Sequence, residues 1–222
     1  MTTKSLTDSH FKEFDSCDPK YFSRYKAAGI PKAFWDSRFS DYKLSEKPRK
    51  LAKAYVRNFP KMEEDNIGLL LLGREGTGKS MLAGIICKYV SALYAKHVRY
   101  VTIDDVIPLL NKSWIDNDTK LKYDYIVKGT TLLVLDNIPV TASVNRDVAP
   151  IITEIIQTRL NLKKLTILTS RLNESQLSQT LSKETVKLFT EACVRVSITA
   201  ETSYREVINK SKAQTLSELI EE

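Results

Sequence analysis

Residues 73–80 read Gly-Arg-Glu-Gly-Thr-Gly-Lys-Ser and satisfy the pattern GxxxxGK[ST], which cradles nucleotide phosphates when it follows a strand and opens a helix. Gly73, Gly76 and Gly78 let backbone N–H groups turn inward around phosphate oxygens, where a side chain would obstruct them, and Arg74, Glu75 and Thr77 complete the loop. Lys79 brings positive charge to the β- and γ-phosphates of a bound nucleotide, and the Ser80 hydroxyl is suited to Mg²⁺. The helix beginning there directs its positive end at the same anion. Mg²⁺ held by phosphates and one hydroxyl is normally also held by a carboxylate. The apolar run Leu132-Leu133-Val134-Leu135 ends in Asp136, 57 residues after Lys79, and supplies it.

Asn137 follows that acid where Glu or Asp commonly orients or deprotonates the attacking water. An amide can hydrogen-bond water but cannot accept its proton as a carboxylate does. The expectation is slow turnover, unless another group positions the water. A further run, Leu165-Thr166-Ile167-Leu168-Thr169-Ser170-Arg171, ends in polar residues. Thr169 or Ser170 could sense a γ-phosphate through a hydroxyl and Arg171 through charge; plain turn residues are an equal reading.

These groups need a scaffold. Apolar, β-branched runs recur at Ile67–Leu72, Val98–Ile103, Thr131–Leu135, Leu165–Thr169 and Val194–Ile198, with helical patterns over Lys79–Lys96, Asp104–Trp114 and Arg146–Leu162. Near-continuous apolar strands alternating with helices imply a mostly parallel sheet covered on both faces. Leu82, Ile85, Ile86, Tyr89, Val90 and Leu93 recur at helical spacing and read as core, as do Ile151, Ile152, Ile155, Ile156 and Leu160. The strand Val98–Ile103 intervenes between the glycine-rich loop and Asp136, as in P-loop proteins whose sheet inserts a strand between the two motif-bearing strands.

Residues 1–66 are aromatic and basic, with a chain break at Gly29-Ile30-Pro31 and a helical stretch from Glu46 to Phe59. Ser45 could cap that stretch, and Pro48 is tolerated near its first turn. The chain has 222 residues, 42% hydrophobic and 27% charged, with a formal charge of +7. That suits one globular domain with a small extension and excludes disordered and fibrous classes. Cys17, Cys87 and Cys193 are far apart and only His10 and His97 could join them, so neither disulfide nor zinc is indicated. No run approaches the roughly 18–20 apolar residues needed to cross a bilayer, and MTTKSLTDSH lacks a signal core. The expectation is a cytoplasmic protein without a membrane role.

The segment Ala28-Gly29-Ile30-Pro31, the strand and helix start Tyr100-Val101-Thr102-Ile103-Asp104-Asp105-Val106, Ile155-Ile156-Gln157-Thr158-Arg159-Leu160 before Thr-Ile-Leu-Thr-Ser, and Ser203-Tyr204-Arg205 occur in order. With the loop at 73–80, the chain resembles the DnaC/DnaI/IstB branch of AAA+ ATPases, which comprises replicative-helicase loaders, including phage ones, and transposition helpers. The fold this implies is an α/β P-loop NTPase of the AAA+/ASCE type, a three-layer sandwich on five mostly parallel strands with a short N-terminal helical extension. The resemblance divides the chain into a partner-binding segment (1–27), a helical lead-in (28–66), an ATPase core (67–205) and a tail (206–222). It implies an ATP/ADP site of Gly73–Ser80 with Met81 and Arg205, and Mg²⁺ on Ser80 and Asp136. Lys79, Asp136, Asn137, Thr169 and Ser170 would carry the hydrolytic chemistry.

The chain departs from the family at Asn137, at Arg171 where Asn is frequent, and in the helix after the fourth strand. There an Arg usually reaches a neighbour's nucleotide; here Lys187 is the nearest cation. Family members hold single-stranded DNA along a helical insertion, here containing Lys112, Trp114, Lys120, Lys122, Tyr123, Tyr125 and Lys128. Lysines neutralise phosphates and aromatic faces stack on bases. Asp116, Asp118 and Asp124 dilute the charge, so a solvated face is the competing reading. Another basic run, Lys47, Arg49, Lys50, Lys53 and Arg57, reads as the outer face of a helix. Phe11, Phe14, Tyr21, Phe22 and Tyr25 could form a helix that grasps a hexameric helicase, or could pack on the protein's own core. The implied function is an ATP-dependent replication accessory protein that assembles into an arc, grips single-stranded DNA and loads or modulates a replicative helicase. The alternatives are a transposition helper and a non-hydrolysing helicase adaptor or inhibitor. A GTPase is disfavoured because neither Asn111-Lys112 nor Asn209-Lys210 continues to Asp, and a small kinase because 72 residues precede Gly73 and no Arg-rich lid is seen.

Overall fold

The computed structural model describes residues 14–138, 148–173, 175–177, 183–199 and 203. Five strands form one sheet: β1 (Gly68–Leu72), β2 (Val98–Thr102), β3 (Leu132–Ile138), β4 (Leu165–Ser170) and β5 (Cys193–Ser197), in the order β2-β3-β4-β1-β5. Every pairing is parallel. β4 thus lies between the strand that feeds the glycine-rich loop and the strand that carries Asp136, the inserted-strand class expected from the sequence, whereas β2, which intervenes along the chain, lies at the edge of the sheet. The chain leaves β1 in one direction and β4 in the other. Their carboxyl ends therefore bound a crevice where open α/β sheets bind ligands.

Helix α1 (Phe22–Ala27), α2 (Glu46–Arg57), α3 (Phe59–Glu64) and α4 (Lys79–Leu93) belong to one face. On the other lie α5 (Ile103–Ser113), α6 (Asn117–Asp124), α7 (Val148–Asn161) and α8 (Lys183–Ala192). α4 is buried on nearly every side, more than the stripe read from its sequence requires. The reason is the N-terminal segment. Phe14, Tyr21, Phe22, Phe34 and Trp35 pack on the same cluster as Ile85, Ile86 and Tyr89, and Tyr25 is fully buried there. From Phe14 onward these aromatics fill the protein's own core rather than offering a free recognition helix; Phe11 lies outside the described residues. Lys88 of α4, fully buried, fastens the layer by donating to the carbonyls of Phe34, Trp35 and Ser37.

Local chemistry sets the ends of these elements. Gly29 takes a left-handed φ of 72° after α1, and its N–H donates to Lys26 O, which closes the helix at the expected chain break. The stretch expected from Glu46 to Phe59 is two helices, because Pro60 lacks the N–H that would continue α2. Ser45 stands at the α2 N-cap, but its side chain makes no capping bond. Thr102 and Asp105 form a reciprocal capping box at the start of α5. β3 runs past its expected end through an irregularity in its register with β4 between Leu135 and Ile138, and Asn137 there has φ 63°. A short polar side chain tolerates that conformation.

Arg159 of α7 is wholly buried, and its partners are carbonyl and hydroxyl oxygens. Its guanidinium donates to Val127 O at 2.6 Å, Leu165 O at 2.6 Å and Thr166 Oγ1 at 3.0 Å, with longer bonds to Thr130 O and Thr131 O. It ties the π-helical turn Tyr125–Gly129 to the starts of β3 and β4. Arg159→Leu leaves several buried carbonyls unpaired and is expected to cost about 3–5 kcal/mol, read as a fall of roughly 6–20 °C in melting temperature. Arg159→Lys should recover little, since one ammonium cannot reproduce a planar fork of five donors.

Candidate nucleotide site and neighbouring surface

The loop from Gly73 to Gly78 joins β1 to α4 and is held from three sides. Tyr42, fully buried in the lead-in, donates to Thr77 O at 2.9 Å, and its ring packs so closely on Gly78 that a Cβ there would fall 2.7 Å from it. Gly78 also has φ 77°, so the position is closed to other residues on two counts. Gly76 lies under Ser203, into which a Cβ would run. Lys79 bends back to donate to Gly73 O at 2.7 Å and Arg74 O at 2.8 Å. Burial pushes the Lys79 ammonium down to about 8, helped by the Arg171 cation and opposed by the Asp136 carboxylate.

At the head of α4, Ser80 Oγ donates to Asp136 Oδ1 at 2.9 Å. Thr169 Oγ1 donates to the same oxygen and accepts from Asn137 N at 2.9 Å. The expected phosphate loop, acid and fourth-strand hydroxyl are therefore joined in one cluster. Ser170 also lines the cleft, but its hydroxyl is engaged with backbone: it donates to Ile138 O and accepts from Leu172 N, as the turn-residue alternative has it. Arg171 reaches Glu75 Oε2 at 3.0 Å and Asn137 Oδ1 at 3.4 Å. It spans the mouth of a cleft of about 390 Å³ also lined by Lys79, Ser80, Met81, Asp136 and Thr169. Arg205 lies outside the described residues, and Lys187 is on α8 beside Glu191.

Among the described residues no cluster of three or more His, Cys, Asp or Glu could hold a metal. One hydroxyl and one carboxylate are nevertheless the protein donors that a phosphate-bound Mg²⁺ uses, because it keeps water and phosphate oxygens for the rest of its shell. Ser80 and Asp136 fit that set. Sequence reasoning missed Tyr42, Phe34 and Tyr100 around this site. The rings of the last two lie 6.4 Å apart, tilted by 57°, and Phe34 lines the cleft.

The insertion formed by α5, α6 and the π-helical turn presents a different chemistry. Trp114 is 80% and Ile115 91% exposed, with Leu121, Lys112, Lys120 and Lys122 also exposed. Trp114, Ile115 and Lys120 border a depression of about 420 Å³ between α5, α6 and α7. Tyr123, grouped by sequence with the stacking aromatics, is instead a core residue beneath α6 at 7% exposure. The tyrosine falls on the inner face of α6, where it also lines that depression. Tyr125 is half exposed and bonds to His97, Lys128 pairs with Asp124, and Asp116 caps α6. No helix among the described residues is long and apolar enough to cross a membrane.

The chain is 26% identical over 162 residues to the replicative helicase loader DnaC of Buchnera aphidicola subsp. Schizaphis graminum. That match takes in 72% of this chain and 65% of the relative, so the chain spans about two thirds of that protein's length. The fold is similar to the crystal structure of the DnaC helicase loader, with a TM-score of 0.64 at 21% identity over 76% of this chain and 100% of that one. It is also similar to AMPPCP-bound DnaA from Aquifex aeolicus, with a TM-score of 0.62 at 18% identity over 85% of this chain and 57% of that one. The profile described as IstB-like ATP binding protein matches residues 28–212, from the chain break before the first core strand into the segment beyond the fifth. By that match over most of its length, the chain belongs to the IstB-like ATP binding protein family.

Proposed function

We propose that the protein binds ATP with Mg²⁺ and uses the bound nucleotide to engage a replicative DNA helicase on single-stranded DNA. The observation that carries this reading is the cluster of Ser80, Asp136 and Thr169 at the mouth of a phosphate loop whose lysine is already directed at the loop backbone. Gly73–Gly78 and Lys79 hold the phosphates; Ser80 and Asp136 hold Mg²⁺, which when bound neutralises phosphate charge. Asn137 orients water without taking its proton, so nucleotide acts mainly as an assembly switch and hydrolysis is slow. Trp114, Lys112, Lys120 and Lys122 form the strand-binding surface, with the indole stacking on a base. The likeness to a helicase loader supports the choice of partner.

Tagged protein recovered from its native cells in ATP should carry a hexameric helicase, identified by mass spectrometry, and Lys79→Ala should lose it. Recovery of a transposase in its place would assign the chain to transposition.

Two further outcomes follow from the site. In EDTA, free Lys79 loses its proton above pH 8, whereas bound phosphates favour the charged form. ATP binding then takes up a proton, and affinity is level below about pH 8 and falls by up to about tenfold per pH unit above it. Calorimetry in buffers of different ionisation enthalpy measures that proton.

The chain has two tryptophans, of which Trp35 is partly buried. Single-stranded DNA should therefore quench chiefly the emission of Trp114. Trp114→Ala should weaken binding by about 5- to 100-fold, the loss of one stacked base, measured by anisotropy of a labelled oligonucleotide at fixed salt.

A further inference from the structure

Beneath the cluster of Ser80 and Asp136 is a buried hydroxyl with no hydrogen-bond partner. Tyr100 of β2 pairs with Val134 of β3. Residues two apart on a strand share a face, so Asp136 lies diagonally ahead of Tyr100 on the side covered by α4. A diagonal neighbour is within reach of an aromatic side chain. The Tyr100 ring is 3% exposed and packs on Phe34; its hydroxyl sits beside Asp136 and Ser80 yet bonds to neither. Buried polar groups without partners are rare because they lose hydration and gain nothing. Phenylalanine would fill the same space at no such cost, so packing alone does not account for the oxygen.

Asp136 offers the partner. Both hydroxyls that bond to it, Ser80 and Thr169, address Oδ1, and among the described residues no donor is bonded to Oδ2. We infer that Tyr100 is a positioning residue for the metal-binding carboxylate: its hydroxyl donates to Asp136 from behind once nucleotide and cation take the Ser80 hydroxyl from that carboxylate. The inference rests on the nucleotide–Mg²⁺ reading above. It adds Tyr100 to the cleft-lining Thr102 as the contribution of β2 to a site otherwise built from β1, β3 and β4, and explains why a polar ring lies in an apolar layer.

The test compares wild type, Tyr100→Phe and Ser80→Ala for binding of a fluorescent ATP analogue in EDTA and across a Mg²⁺ titration, with melting curves of each free protein. Tyr100→Phe should melt at or slightly above the wild-type temperature and bind the analogue equally in EDTA. It should need about 5- to 10-fold more Mg²⁺ for half of the metal-dependent gain in affinity. An unchanged Mg²⁺ midpoint in Tyr100→Phe, with the gain lost in Ser80→Ala, overturns the role of Tyr100 and leaves the site reading intact. A lower melting temperature of free Tyr100→Phe overturns it too, by assigning the hydroxyl to stability. No Mg²⁺-dependent gain in the wild type removes the nucleotide–metal reading and this inference together.

Discussion

Asp136 accepts from Ser80 at the first turn of α4 and from Thr169 near the end of β4, so one carboxylate gathers three segments at the carboxyl edge of the sheet. Each of those segments is long-range to the others, and each is placed by something else. α4 follows the loop from β1, β4 lies between β1 and β3, and the β3 irregularity aims Asp136 and Asn137. A parallel sheet buried on both faces makes this arrangement stiff, because its strands cannot slide without exposing apolar residues on one side or the other. The phosphate loop is consequently positioned by the sheet more than by its own glycines.

The second constraint comes from the opposite side of α4. A helix apolar around nearly its whole circumference cannot face water, and here the covering layer is the N-terminal lead-in. That layer also reaches the site: Tyr42 bonds to Thr77 O and packs on Gly78, while Phe34 lines the cleft. Lys88, buried without a carboxylate among its hydrogen-bond partners, holds the same layer through three carbonyls. Burial pushes its ammonium below the usual range, and the three acceptors are what keep a cation there acceptable. The lead-in and the ATP-binding core therefore form one folded unit from Phe14 onward.

The strands were legible in the sequence to within one or two residues at most ends, because both faces are buried and the apolar runs are nearly unbroken. That the loop, Lys79, Ser80 and Asp136 would meet at one edge of the sheet was legible from the strand–loop–helix pattern and the apolar run that ends in the acid. Tyr42 and Tyr100 were not: each acts across at least 35 residues of chain, and a tyrosine in an apolar run gives no sign of what its hydroxyl will meet. The inward turn of Tyr123 was missed because the helical phase of α6 is set by its packing on the core, in a segment with little amphipathic contrast of its own. Ser170 and Thr169 are adjacent in a strand, so their side chains must point to opposite faces. Only one of the two could join Asp136, and the apolar pattern did not say which.

At the mouth of the cleft, Asn137, Arg171 and Glu75 are mutually adjusted. A carboxylate at position 137 would stand beside Asp136, and like charges so close oppose each other's ionisation. The amide of Asn137 avoids that repulsion and accepts from Arg171, whose other arm meets Glu75 on the phosphate loop. Arg171 and Glu75 are each about half exposed, so the ion pair is worth little in water and can be exchanged readily. A guanidinium held that loosely is free to turn toward a new anion with more charge than one carboxylate. Asn137 and Arg171 together make a rim suited to holding a charged ligand, whereas a carboxylate at 137 would favour taking a proton from water.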